Sequence, residues 1–284
     1  MRAIIAAALV GGLCGLMGVY IVLRGMAYMG HGLAHAVFGG AAVSFIMSIN
    51  FYLGATAWGF LSALLVTWIT RKNPTIRSDA SIGIITTSSF ALGIAIISSQ
   101  RRFTRDLDAA LWGSVLGVQA VELLAIAAVA FVVAAVFFLG YKLFLFATFD
   151  AEVAQFYGVP TGWVDTVFSL MLAAAIVVSM QVLGVLMIAA AIVIPPIVAR
   201  LLTNSFRQMV ILSAGIGIAC AVLGLYLSYL IELSYAAKVS PGPSVVLFSS
   251  ALFVLTLLWS RLRSRLGRGG GLEQLPRESG SALE

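Results

Sequence analysis

Charge is scarce in this 284-residue chain. Asp, Glu, Lys and Arg make up 10% of it against 61% hydrophobic residues, and a water-soluble domain cannot hide that much apolar surface inside itself. Histidine is scarcer, with only His31 and His35. A membrane di-iron oxygenase needs a larger histidine set, and an intramembrane hydrolase needs a base beside its nucleophile, so enzyme readings are set aside. Carboxylates are nearly missing from the apolar interiors: Glu122 and Glu232 fall near span ends, and Asp79, Asp106, Asp108, Asp150, Glu152 and Asp165 fall in or beside loops. That weakens a proton-coupled carrier, which generally needs a buried titratable carboxylate on its path. A phosphate-binding loop is absent too. The only lysines, Lys72, Lys142 and Lys238, follow Arg71, Tyr141 and Ala237, so Gly-x-x-x-x-Gly-Lys cannot be written, and any ATP hydrolysis belongs to a separate subunit. The two cysteines, Cys14 and Cys220, lie far apart inside apolar runs and read as small packing residues without a disulfide framework.

What is present is a series of long apolar runs, each able to cross a hydrocarbon core of about 30 Å as a helix. In lipid only helices or closed barrels satisfy every backbone group, and these runs are continuous and not alternating. The expected fold is therefore all-α, a polytopic bundle with spans at 3–23, 27–49, 51–70, 80–99, 119–146, 164–182, 184–203, 208–231 and 244–262. The stretch 164–203 could instead be one bent element, giving eight. The first run follows Arg2 like a signal peptide, but its length and the following Arg24 fit a retained span better.

With nine spans and the N-terminus outside, the inner side collects Arg24, Arg71, Lys72, Arg77, Lys142, Arg200, Arg207, Arg261, Arg263, Arg265, Arg268 and Arg277, which is 12 of the 17 basic residues. The outer side keeps Arg2, Arg101, Arg102, Arg105 and Lys238. This places the C-terminus in the cytoplasm and accounts for the net charge of +6 without nucleic acid. Residues 1–264 form the membrane domain, and 265–284 a basic anchor that passes into a disordered cytoplasmic tail.

Between the fifth and sixth spans, residues 150–158 read as a short amphipathic helix on the inner side. Asp150 caps it, Glu152 suits the positive end of its dipole, and Gly158 with Pro160 stops it. The first span carries Gly11, Gly12, Gly15 and Gly18 on close helical spacing, which lets a neighbouring backbone approach, within one subunit or at a dimer interface. His31 and His35 are four residues apart, so both imidazoles lie on one helix face and could ligate one ion. A hydrogen-bonded packing pair is the plainer alternative.

Five stretches, in order, resemble the metal-importer permeases of the ABC-3 type, the membrane subunits of bacterial zinc, manganese and iron uptake systems. They are Tyr28-Met29-Gly30-His31-Gly32-Leu33-Ala34-His35-Ala36-Val37, Asp79-Ala80-Ser81-Ile82-Gly83-Ile84, Phe149-Asp150-Ala151-Glu152 with Gly158-Val159-Pro160, Gly184-Val185-Leu186 leading to Pro195 and Ala199-Arg200, and Ser240-Pro241-Gly242-Pro243. The resemblance implies a type II-like importer permease in the cytoplasmic membrane of a prokaryote. It implies a second permease copy, two cytoplasmic ATP-binding-cassette ATPases and an extracytoplasmic metal-binding protein as partners. It also implies that 150–158 is the coupling helix, with Asp150, Glu152, Tyr157 and Gly158 meeting the ATPase. In that family His35 has its counterpart, while His31 stands where an aspartate is usual. An imidazole there favours Zn²⁺ over the harder Mn²⁺ or Fe²⁺ as the transported ion, or makes His31 a partner that orients His35. No stably bound cofactor is expected. The alternatives are a proton-coupled or facilitative metal transporter acting without an ATPase, and an ABC permease for an iron chelate or cobalamin.

Overall fold

A computed structural model describes residues 1–47, 50–72, 78–99, 111–235 and 240–268. Arg77, Arg101, Arg102, Arg105, Lys238, Arg277 and the end of the expected tail lie outside them. The described helices are α1 (Arg2–Leu23), α2 (Ala27–Ile46), α3 (Phe51–Lys72), α4 (Ser78–Ser99), α5 (Ala120–Leu139), α6 (Tyr141–Phe149), α7 (Ala151–Phe156), α8 (Thr161–Leu183), α9 (Val185–Leu202), α10 (Phe206–Tyr235) and α11 (Pro241–Arg268), with a single 3₁₀ turn at Val115–Gly117. No strand occurs among the described residues. Nine of these helices have 18 residues or more, and eight are apolar enough to cross a membrane by composition alone. The ninth, α2, carries both histidines.

The stretch 164–203 is two helices. Gly184 separates α8 from α9 with φ +80, a left-handed conformation that side chains resist, and a Cβ there would also run into the Leu111 carbonyl. The expected single span at 119–146 breaks instead at Gly140, which ends α5 and begins α6. Aromatic packing favours the break: Tyr20 stacks on Phe137 at 4.1 Å, and the turn brings Phe144 edge-on to both rings. At the other terminus α11 continues to Arg268, so the first residues of the expected tail are helical.

Helix α1 lies at the centre and packs on α10 and α9 through its glycines. A Cβ on Gly11 would strike the Gly217 carbonyl, one on Gly15 the Ser213 carbonyl, and one on Gly18 the Ile192 carbonyl. Ser213 Oγ donates to the Gly15 carbonyl at 2.7 Å across the same seam. These glycines therefore serve packing within one subunit, which takes up the face that a dimer contact would need. Cys14 and Cys220 are buried free thiols.

Polar contacts mark the two ends of the bundle. At one end Arg24, Thr148 and Asp165 meet, and Phe149 packs near Phe206. At the other, Glu122 accepts from Tyr52 Oη (3.0 Å), Gln181 Nε2 (3.1 Å) and its own cap, the Gln119 N–H (2.8 Å), tying α3, α8 and α5 together. Ser240 Oγ donates to the Trp112 carbonyl at this same end. Among the described residues, nine alternating long helices place the first residue and the end of α11 at opposite ends.

Candidate functional site

The histidine pair begins with how α2 is held. Gly32 faces Ile82 and Thr86 of α4, and Gly39 faces the Ser89 backbone, so these two helices approach closely. Ser89 Oγ donates to the Ala36 carbonyl at 3.1 Å and accepts from Trp58 Nε1 at 2.6 Å, which fixes α2 between α4 and α3. Its other face then presents the two imidazoles at the margin of the bundle. His31 is exposed, His35 is half-buried, and Tyr28, one turn earlier, is 46% exposed.

The expected pairing is present. His31 Nε2 and His35 Nε2 stand 3.2 Å apart, and the rings cross nearly perpendicular with centroids 4.6 Å apart. Phe90 of α4 packs edge-on to His35 at 4.7 Å. Two nitrogens at that separation subtend about 100° at an ion bound roughly 2.1 Å from each, an ordinary bite angle. The same distance also suits a single N–H···N hydrogen bond, so the pair can close on itself when no ion is present. His35 Nδ1 is buried and finds no partner among the described residues. Histidines in retained metal sites almost always anchor that second nitrogen on a carboxylate or carbonyl, and His35 does not.

No group of three or more His, Cys, Asp or Glu gathers among the described residues. One copy of the chain thus supplies two imidazoles on an outward-facing surface.

The residues expected to meet an ATPase form a separate feature at the Arg24 end. Asp150 caps α7, its Oδ1 accepting from the Val153 N–H at 2.9 Å, and Glu152 lies in the first turn. The helix ends in a Schellman motif: the Val159 N–H reaches the Ala154 carbonyl and the Gly158 N–H the Gln155 carbonyl, with Gly158 at φ +79. Ala154 is buried as the anchor, while Phe156 (88%), Tyr157 (74%) and Trp163 (73%) stand exposed together in sequence around the turn. Asp150, Glu152, Tyr157 and Gly158 therefore share one short motif, distant in sequence from the histidines. The exposure of Phe156 and Trp163 adds two residues that the sequence reading did not single out, although the run of aromatics at 156–163 was visible there.

A family model described as the ABC 3 transport family matches residues 1–260. The manganese transport system membrane protein MntC of Halalkalibacterium halodurans is 34% identical over 267 residues, covering 94% of this chain and 89% of MntC. The manganese import system permease protein ScaB of Streptococcus gordonii is 35% identical over 255 residues, covering 90% of this chain and 89% of ScaB. Among solved structures, PsaBC from Streptococcus pneumoniae in complex with Fab superposes with a TM-score of 0.78 at 34% identity, covering 90% of this chain and 89% of its counterpart.

Proposed function

This chain belongs to the ABC 3 transport family, and from that premise we propose that it is the permease subunit of an ATP-driven importer for manganese. Two relatives named for manganese transport or import share about a third of its residues over nearly their whole length, and this carries the choice of ion. An imidazole pair by itself ranks zinc above manganese at equilibrium, which was the ground for expecting zinc. Passage differs from retention. A site of two neutral donors, one with its second nitrogen unanchored, binds weakly and leaves selection to whatever delivers the ion.

The proposed path runs past His31 and His35 where two copies of the permease face each other. The pair lies on an exposed face of one copy, and a second pair opposite would raise the donor count to four. The ion, still carrying part of its hydration shell, exchanges water for imidazole nitrogen on entry and regains water on exit. ATPase subunits dock on α7, and an external binding protein delivers the ion. In this reading the Arg24 end faces the cytoplasm, an orientation supported by the excess of basic residues at that side.

The exposed ring cluster around α7 gives the ATPase its anchor, because buried aromatics supply most of the energy in such interfaces. Replacing Phe156 and Tyr157 together by serine is expected to weaken co-purification with the ATPase by about tenfold or more. Both rings are exposed, so the melting temperature of the isolated permease should stay put.

Reconstitution tests the reading as a whole. Liposomes holding permease and ATPase, with ATP on the ATPase side and loaded binding protein on the other, should accumulate ⁵⁴Mn²⁺ against its gradient. Manganese entry at the same rate without the ATPase would identify a carrier acting alone.

A further inference from the structure

Arg24 was counted above as one more inner-side cation, yet its environment is unlike that of Arg200, Arg207, Arg261 and Arg263, which are all exposed. Its side chain is 7% exposed and lies over the Phe168 ring at 5.0 Å. A buried guanidinium keeps its charge, and leaving it unpaired is costly. Nη1 donates to Asp165 Oδ1 at 2.7 Å, and Nε donates to Thr148 Oγ1 at 3.1 Å. The Thr148 hydroxyl is turned to receive that bond, since it spends its own proton on the Phe144 carbonyl at 2.6 Å.

The two partners bracket α7. Thr148 lies in α6, two residues before the Asp150 cap, and Asp165 lies in the first turns of α8, just after the Schellman turn. One guanidinium therefore clasps both flanks of the short helix. On its own side Arg24 ends α1 and adjoins a tight corner: Gly25 has φ +66, the Met26 N–H bonds the Ile21 carbonyl at 2.9 Å, and α2 begins at Ala27. His31 follows within the first turns of that helix. Arg24 Nη2 is buried without a partner among the described residues, so both of its N–H groups are unpaired in this arrangement.

We propose that Arg24 is a positioning residue for transport: by holding Thr148 and Asp165 to the α1–α2 corner, it carries movement of α7 to the histidine pair. This rests on the reading that α7 docks the ATPase and that the pair lies on the ion path. The unpaired Nη2 fits a clasp with a second position, in which another acceptor is gained when α7 moves. Lysine cannot replace it fully, because a single ammonium reaches Asp165 or Thr148 but lacks the rigid fork that spans both.

The test measures ⁵⁴Mn²⁺ taken up per ATP hydrolysed by the reconstituted complex of permease, ATPase and manganese-loaded binding protein. Arg24→Gln is expected to keep ATP hydrolysis within about twofold of wild type while ions moved per ATP fall about tenfold, with Arg24→Lys intermediate. Should Arg24→Gln fail to assemble, Thr148→Val keeps the ion pair and releases only one flank. It is expected to lower the ratio about threefold while the complex still assembles, its melting temperature falling by only about 2–8 °C for the one lost hydrogen bond. A wild-type ratio in either variant, or a proportional fall of both activities, would overturn the proposal. If the wild-type complex itself shows no ATP-dependent manganese uptake, it is the importer reading that fails.

Discussion

Replacing His35 by alanine is expected to cut ATP-driven ⁵⁴Mn²⁺ uptake by about tenfold or more, with the complex still assembled and hydrolysing ATP. Loss of a residue that only supports a metal ligand commonly costs ten- to a hundredfold, and loss of a ligand should cost no less. His35 is the member of the pair more firmly placed, half-buried against Phe90 and 3.2 Å from His31. Its removal leaves one exposed imidazole per copy. The companion change His31→Asp tests the other position: a carboxylate is a harder, anionic donor, so manganese uptake should persist while competition by zinc weakens. If His35→Ala transports normally, the two rings are a packing pair closed by their own hydrogen bond.

Gly18→Leu should be among the most damaging changes in the chain outside the ion path. A Cβ at this position falls on the Ile192 carbonyl, with Pro196 beside it, so no rotamer relieves the clash and α1 must part from α9. Overpacking of a rigid contact costs about 3 kcal/mol, and more where backbone has to move. The melting temperature of the purified permease is then expected to drop by about 6–12 °C. Gly215→Ala provides the contrast. It lies within α10 with nothing near the added methyl, so the substitution should be neutral or gain up to about 1 kcal/mol through helix propensity. A similar loss in both variants would mean that the α1 seam is not the packing centre described.

The long apolar runs made most of the fold legible, because in lipid a run of that length leaves the backbone little choice but a helix. The α7 motif was equally readable, since Asp150 and Gly158 act locally through their own cap and turn. The break at Gly140 was not. It depends on Tyr20, more than a hundred residues away, drawing Phe137 and Phe144 together. Arg24 was read only as a topology marker because nothing near it in sequence announces Thr148 or Asp165 as partners. Glu122, seen as a carboxylate near a span end, likewise gave no sign that Tyr52 and Gln181 converge on it. The histidine spacing did foretell the shared face. The expectation of zinc finds no support in relatives named for manganese; donor chemistry ranks affinities, whereas a transport site is also shaped by delivery and release.

The most direct test of a manganese path through the imidazoles is pulsed EPR on Mn²⁺ held by the assembled complex, reading the hyperfine coupling of ¹⁴N nuclei. The account predicts imidazole nitrogen coupling in the wild type, weakened in His35→Ala and lost when His31 and His35 are both replaced by alanine. Water protons alone in the wild-type spectrum, with no nitrogen coupling, would contradict it.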